Sequence, residues 1–380
     1  MKVAVNLLFL IPGEVGGSET YVCETLRALA GTEPGVALHL VANRENYEFL
    51  RHRYSAHPHV VVHLLHVRAA NRYARIIAEQ TALPRLVKRL GADVLWSPGY
   101  TMPAVASCPQ VVSILDMQYR THPDDLSLVA RWTTHALVSM AVRRAAHILA
   151  ISEFSRDEIV RETGVAAERL QVTPLGVDPR FGEDVGDARR VDARRRFLGA
   201  DSPFFLSVAH SYPHKNLPLL VNAFRLAAGD MPHRLLLIGK PRRGEPALQQ
   251  ALAAAPAGRV HRINGVSRDD LIALYQAADA FVFPSLYEGF GLPLLEAMQA
   301  GTPVLATGEG STREVGGDAC RYADGRDPGA WAAALLDLAR MKPATRRQLT
   351  QAGRTRAAQF LWERTASLTL AALRSARSTS

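Results

Sequence analysis

Short apolar runs rich in valine, leucine and isoleucine alternate with longer stretches of helical periodicity along almost the whole chain, which predicts βαβ units on parallel sheets. In the first half the strand candidates are residues 2–8, 37–42, 60–64, 94–96, 111–115 and 147–151. Helical stretches such as 18–29 and 84–90 fall between them. The rhythm restarts with strands at 204–208, 234–238, 261–263, 280–283 and 303–306, and closes on a helical stretch, 344–376, that carries Phe360 and Trp362.

Between the two series, residues 176–202 mix turn residues with Arg189, Arg190, Arg194, Arg195 and Arg196 and break the apolar rhythm. They predict an interdomain linker, because few apolar positions remain to hold them to a core. The expected layout is therefore a Rossmann-like domain at 1–175, a second at 203–358, and a terminal helix at 359–380 packing back toward the first. At 380 residues the chain exceeds the size of one ordinary core, which fits two domains.

Composition narrows the class. A chain 48% hydrophobic and 21% charged is a soluble globular protein. Cys23, Cys108 and Cys320 are widely spaced and odd in number, as expected of reduced thiols in a cytoplasmic protein. The opening MKVAVNLLFLIPG lacks the small-residue cleavage site of a signal peptide, and no apolar stretch reaches membrane-spanning length. The net charge of +9 calls for an anionic partner. No nucleic-acid-binding signature accompanies it, which leaves phosphate-bearing substrates and acidic membrane surfaces.

The strongest chemical signal is FVFPSLYEGFGLPLLEAMQAGTPVLA, residues 281–306. It reads as a buried strand, a glycine turn, a helix opening at Leu292 or Pro293 and ending at Gly301, and another strand. The backbone amides of Phe290, Gly291 and Leu292, with the helix dipole behind them, then point at the mouth of the sheet and suit a phosphate. Glu288 precedes the turn and Glu296 lies about one helical turn in; carboxylates there can accept from the vicinal hydroxyls of a ribose or a hexose. Gly16 and Gly17 follow the first strand and can bring backbone close to a phosphate or acceptor, with Ser18 as helix N-cap. No D-x-D occurs and the histidines show no metal-ligand rhythm, so no metal or cofactor is expected.

The string resembles the E-x7-E signature of retaining GT-B glycosyltransferases of family 4, the glycosyl transferases group 1. GGSET, DMQYRTHP, AISEFSRDEI, VTPLGVDPRF, SVAHSYPHKN and FLWERTA extend the resemblance in family order over nearly the whole chain. The fold class it implies is α/β, two Rossmann-like doubly wound domains facing across a cleft. It implies that Glu288 contacts the transferred sugar, Glu296 the nucleotide ribose, the following amides the diphosphate, and Lys215 the charge of the leaving diphosphate. Asn264, Gly265 and Val266 match the position whose backbone meets the nucleobase, and Glu314 a residue near the donor pocket. Relatives pair the lysine with an arginine where this chain has His210, leaving His210, His214 or Arg313 to carry that charge. Asp116 matches an acceptor-orienting aspartate, while Leu115 stands where relatives have histidine and His122 is the candidate substitute.

The implied reaction is metal-independent, retaining transfer of a mannose-like hexose from a nucleoside diphosphate sugar to a glycan or polyprenyl-linked acceptor, in polysaccharide or lipopolysaccharide assembly. Arg131, Trp132, Arg143 and Arg144 flank the apolar residues 136–142, which reads either as a peripheral contact with the inner face of the cytoplasmic membrane or as a core helix with basic ends. A nucleotide-sugar epimerase, a phosphorylase of similar fold, and a catalytically silent nucleotide-sugar-binding subunit are the competing functions.

Overall fold

The computed structural model describes residues 1–14, 16–121 and 128–378. The chain forms two compact units, Met1–Gly176 with Leu361–Ser380, and Val177–Phe360. Unit 1 is built on a seven-stranded parallel sheet: β1 (Lys2–Asn6), β2 (Ala37–Ala42), β3 (Val60–Leu64), β4 (Val94–Ser97), β5 (Gln110–Ser113), β6 (His147–Ala150) and β7 (Leu170–Val172), in the order β3-β2-β1-β4-β5-β6-β7. Unit 2 carries six parallel strands: β8 (Phe204–Val208), β9 (Arg234–Ile238), β10 (Val260–Ile263), β11 (Ala280–Phe283), β12 (Val304–Ala306) and β13 (Cys320–Tyr322), ordered β10-β9-β8-β11-β12-β13. Both are doubly wound sheets whose strand order reverses beside the first strand, between β1 and β4 and between β8 and β11. Such a reversal splays the loops at the carboxyl ends of the strands and opens a binding crevice.

The central strands are buried on both faces, as continuous apolar runs require. Val3, Ala4 and Val5 of β1 and Phe204, Phe205 and Leu206 of β8 are fully buried. In unit 2, Trp331 and Leu335 of the helix Pro328–Ala339 pack on Phe224 and Leu220 of the helix Leu217–Ala227. The eleven strands read from the pattern all form; β7 and β13 are three-residue edge strands that it does not reveal.

Four local readings change. Residues 176–202 are not a linker: the helix Asp187–Leu198 belongs to unit 2, where Arg189 and Arg196 bind Asp270 at 2.7 and 3.1 Å. Phe181 is fully buried, and Gln276 donates to the carbonyls of Phe181 and Glu183. Ser18 is not a cap; the helix Gly17–Thr32 starts behind Gly16 (φ 58°), and the Glu19 carboxylate instead accepts from the Gly13 amide at 2.7 Å. The closing helical stretch is two helices, Pro343–Ala357 in unit 2 and Trp362–Ser378 in unit 1. Finally, Val138, Ala141 and Val142 of the helix Leu128–Arg144 are buried in the unit 1 core, so the 136–142 segment is not a membrane face. Among the described residues no helix is long and apolar enough to cross a membrane.

The helix Trp362–Ser378 closes unit 1. Thr365 Oγ1 donates to the Pro174 carbonyl at 2.5 Å, and a Cβ on Gly176 would meet the Trp362 backbone nitrogen at 2.3 Å. Trp362, Leu370 and Leu373 are at most 2% exposed; burying side chains of this size contributes roughly 2–3 kcal/mol each, a large share of the roughly 5–15 kcal/mol that stabilises a typical domain. Deleting residues 361–380 is therefore expected to leave unit 1 without a cooperative unfolding transition by circular dichroism; a soluble product with native melting would contradict this packing.

Candidate functional site

The unit 2 crevice collects the chemistry. β8 leads into a loop ending in a short 3-10 turn, Pro213–Lys215, and β11 leads into the loop of Glu288. Because β8 and β11 are neighbours, both loops open at the strand-order reversal, and the Leu286 amide donates to the His214 carbonyl at 2.8 Å across them. Lys215 Nζ donates to Glu288 Oε1 at 2.7 Å and lies 6.0 Å from the Phe283 ring centroid. This pair joins two residues 73 positions apart, in side chains only 20% and 10% exposed.

Glu288 is held from behind. Its carbonyl accepts from the Ser311 amide at 3.2 Å and the Ser311 hydroxyl at 3.0 Å. Gly310 (φ +61°) comes so close that a Cβ there would stand 2.8 Å from both the nitrogen and the carbonyl oxygen of Glu288. Gly291 (φ 97°) then turns the chain into the helix Leu292–Ala300, with Pro293 in its first turn and Gly301 (φ 81°) ending it. Phe290 anchors the turn edge-on against Phe360 at 5.8 Å. The amides of Phe290, Gly291 and Leu292 thus lie at a helix start beside the Lys215–Glu288 pair, an arrangement suited to a diphosphate.

Glu296 lies on that helix with its side chain only 12% exposed. Its Oε2 accepts from the Tyr275 hydroxyl at 3.1 Å and its Oε1 from Arg268 at 3.2 Å. Burial pushes the carboxyl above the usual range, against the pull of Arg268. Arg268 also donates to Asp178 at 3.1 Å and lies 4.4 Å over the Phe181 ring. Arg268 and Tyr275 share a face at i, i+7 of the helix Arg268–Ala277, a spacing visible in the sequence but unremarkable without its target.

His210 lies among cations and is held by the backbone. Its Nδ1 accepts the Lys240 amide at 3.0 Å, and burial followed by the charges of Arg242, Lys215, Lys240 and Arg262 pulls its pKa below the ordinary value. Two of those neighbours, Lys240 and Arg242, come from the KPRR run after β9, which the sequence reading passed over. Arg262 Nε and Nη2 are buried without hydrogen-bond partners, with Nη2 3.6 Å from Glu245. His214 is buried and stacks on Tyr212, while Arg313 covers the Tyr322 ring at 4.4 Å. Asn264, Gly265 and Val266 follow β10, ahead of Ser267, which caps the helix Arg268–Ala277. Glu314 lies in the helix Thr312–Gly316, its carbonyl held by Arg356 at 2.6 Å.

In unit 1, Gly16 and Gly17 follow β1 at the helix start, and half-buried Asp116 follows β5, accepting the Gln118 amide at 3.2 Å. The Leu115 side chain is buried and its carbonyl accepts from the Ser155 hydroxyl, so this position packs into the core. His122 lies outside the described residues. At the β1–β4 crevice the sequence reading missed Asn6, Tyr100 and Glu79. Glu79 is buried, accepts from Asn6 at 3.1 Å and Thr101 at 3.0 Å, and has its pKa pushed up by burial. The neighbouring Tyr100 sits at φ 69°, a conformation that a bulky residue rarely adopts. Among the described residues no group of three or more His, Cys, Asp or Glu is placed to hold a metal ion.

Comparison with known proteins matches both units. The family model described as Glycosyltransferase Family 4 covers residues 15–181, and that described as Glycosyl transferases group 1 covers residues 189–356. O-antigen chain mannosyltransferase B of Escherichia coli is 34% identical over 219 residues, 57% of this chain and 57% of the relative. MMP alpha-(1->4)-mannosyltransferase of Mycolicibacterium hassiacum is 32% identical over 254 residues, 64% of this chain and 58% of the relative. The chain thus spans little more than half the length of these relatives. The solved structure of Anabaena Alr3699/HepE in complex with UDP-glucose aligns over 99% of this chain and 100% of that one, with TM-score 0.78 and 19% identity, a likeness of fold.

The support behind Glu288 makes a direct prediction. Gly310→Ala adds a Cβ at positive φ and 2.8 Å from backbone atoms; it is expected to cost about 2 kcal/mol or more and lower the melting temperature by at least about 4 °C. Gly265→Ala, where a Cβ meets nothing within 4 Å, is expected to leave it unchanged in the same calorimetric scan.

Proposed function

Because the chain belongs to glycosyltransferase family 4 and has the GT-B fold, we propose that it moves a hexosyl group from a nucleoside diphosphate sugar to a hydroxyl of a glycan or lipid-linked acceptor. Mannose is the sugar that the relatives favour, and assembly of a cell-surface polysaccharide such as an O-antigen is the process. The observation that carries this reading is the Lys215–Glu288 pair at 2.7 Å beside the Gly291 turn, where a diphosphate and a sugar can lie next to each other.

In the proposed mechanism the bond between the anomeric carbon and the β-phosphate oxygen breaks with its electron pair going to the phosphate. The acceptor oxygen bonds to the same face of the anomeric carbon, and its proton passes to the leaving phosphate oxygen, so configuration is retained. Lys215 and the amides of Phe290, Gly291 and Leu292 stabilise the charge that grows on the diphosphate, with Lys240, Arg242 and Arg262 adding to the field around a neutral His210. Glu288 takes the hexose hydroxyls, Glu296 the ribose, the 264–266 backbone the base, and Asp116 with the Gly16–Gly17 turn the acceptor side. These groups supply the neutralisation that a divalent metal would otherwise provide, so chelator is expected to leave turnover unchanged.

The site is tested by thermal shift with a panel of nucleoside diphosphates and their sugars. One nucleotide at about 100 times its dissociation constant is expected to stabilise the native protein by about 2.7 kcal/mol. Lys215→Ala and Glu296→Ala should abolish that shift, and Lys215→Ala should lower turnover by about a hundredfold or more. Stabilisation without turnover on any acceptor would favour a silent nucleotide-sugar-binding subunit, and no stabilisation by any nucleotide would refute the reading.

Arg268 gives the pH dependence. The Glu296 carboxyl is already raised by burial, so nucleotide affinity should weaken as pH falls through that raised value and Glu296 takes up a proton. Arg268→Gln removes the cation that opposes burial, and the weakening should begin at higher pH when affinity is measured by calorimetry between about pH 5 and 8. Superimposable native and variant profiles would show that Arg268 does not tune Glu296.

A further inference from the structure

The β1–β4 crevice of unit 1 holds a cation without a counter-ion among the described residues. β3 and β4 are parallel, so the helix Arg72–Leu90 that joins them runs back against the strands, and its first turns lie beyond their carboxyl ends. Glu79 fixes that placement. Its carboxylate accepts from Asn6, the last residue of β1, at 3.1 Å and from Thr101, just past β4, at 3.0 Å, and the strand order reverses between these two strands. Arg75 lies one helical turn before Glu79 and therefore at the mouth of the crevice, with Arg72 a further turn out.

Glu79, only 3% exposed, takes these hydrogen bonds from neutral groups, although Arg75 is close enough to act on it by charge. The guanidinium of half-buried Arg75 makes no hydrogen bond and no ion pair among the described residues. Burial pulls its pKa below the ordinary value; Glu79 opposes that pull and Arg72 adds to it. Arg72 is itself anchored on Thr134 Oγ1 at 2.8 Å. Two guanidiniums brought together and partly desolvated repel each other, a costly arrangement that an anion from outside compensates.

We propose that Arg75, with Arg72 beside it, binds a phosphate group carried by the acceptor. A phosphate answers two guanidiniums in charge, and its oxygens match their planar forks. The proposal rests on the reading of unit 1 as the acceptor side and adds to it the charge of the substrate. β5 lies on the far side of β4 from β1, so Arg75 holds the charged end of the acceptor on one side of β4 and leaves Asp116, after β5, for the reacting hydroxyl on the other.

The test is a calorimetric titration of the full chain with mannose 1-phosphate and with geranyl diphosphate, the donor crevice being filled by the stabilising nucleoside diphosphate and mannose serving as the neutral control. At least one of the two phosphates is expected to bind, and mannose is not. Arg75→Gln should weaken that binding by about tenfold or more, as loss of a hydrogen bond to a charged group does, and Arg75→Lys, which keeps the charge without the fork, should weaken it less. Binding of mannose 1-phosphate alone assigns the site to a sugar phosphate, and binding of geranyl diphosphate alone to a prenyl diphosphate; either upholds it. Stabilisation by the nucleotide should be equal in native protein and Arg75→Gln, which shows that the variant is folded with its donor site intact. If no nucleotide stabilises the protein, the titration is run without one, and binding that still depends on Arg75 leaves this site standing while the donor reading fails. Binding of neither phosphate, mannose binding as tightly as its phosphate, or equal binding by native protein and Arg75→Gln would overturn the proposal.

Discussion

The crevice of unit 2 depends on one ion pair placed where two strands part. Lys215 and Glu288 meet at 2.7 Å, largely out of solvent, at the reversal of strand order between β8 and β11. Burying such a pair gains little net stability, because desolvation offsets most of the attraction; removing one partner, by contrast, leaves an uncompensated charge and costs about 3–5 kcal/mol. The pair is thus better understood as a device for holding two charges ready. Each partner neutralises and orients the other, and in the proposed function a diphosphate sugar exchanges that contact for its own phosphate and hydroxyl groups. Ser311, Gly310 and the Leu286–His214 hydrogen bond fix the backbone around the pair, so its geometry is set before any ligand arrives.

The excess of positive charge divides into three parts with different consequences. The arginine run at 189–196 serves the fold: Arg189 and Arg196 grip Asp270, and Arg190 pairs with Asp184 and Asp187. A second part, Lys215, Lys240, Arg242 and Arg262, surrounds His210 and, after burial, pulls its pKa below the ordinary value. The third lies on the helix Arg72–Leu90 of unit 1. Net charge alone pointed to an anionic partner; its distribution separates structural charge from charge left available for phosphate.

Most of the fold was legible because buried parallel strands are continuous apolar runs, and the central strands of both sheets are of that kind. β7 and β13 were not, since each is a short edge strand buried only at its first residue, whereas the equally short β12 is buried throughout and reads as an apolar run. The 176–202 segment looked like a linker because its partners are distant: Asp270 and Gln276, whose contacts dock it, lie some 75–95 positions away. Glu288, Glu296 and Lys215 were legible from their motifs, whereas Arg268 and Tyr275 gain meaning only once Glu296 is seen between them. Ser18 had the right chemistry for a cap, but Gly16 at positive φ starts the helix without one. At His210 the sequence showed a ring where relatives carry a cation, and the Lys240 amide that donates to its Nδ1 is a contact no motif reveals.

The central claim is that unit 2 holds a nucleoside diphosphate at the start of the helix Leu292–Ala300, between Lys215 and Glu296. A crystal structure of the full chain soaked with the stabilising nucleoside diphosphate tests it most directly. The account predicts β-phosphate oxygens within hydrogen-bond distance of the Gly291 and Leu292 amides and of Lys215 Nζ, with the ribose hydroxyls on Glu296. A nucleotide bound elsewhere, or one that leaves the Lys215–Glu288 and Glu296 contacts unchanged, would contradict it.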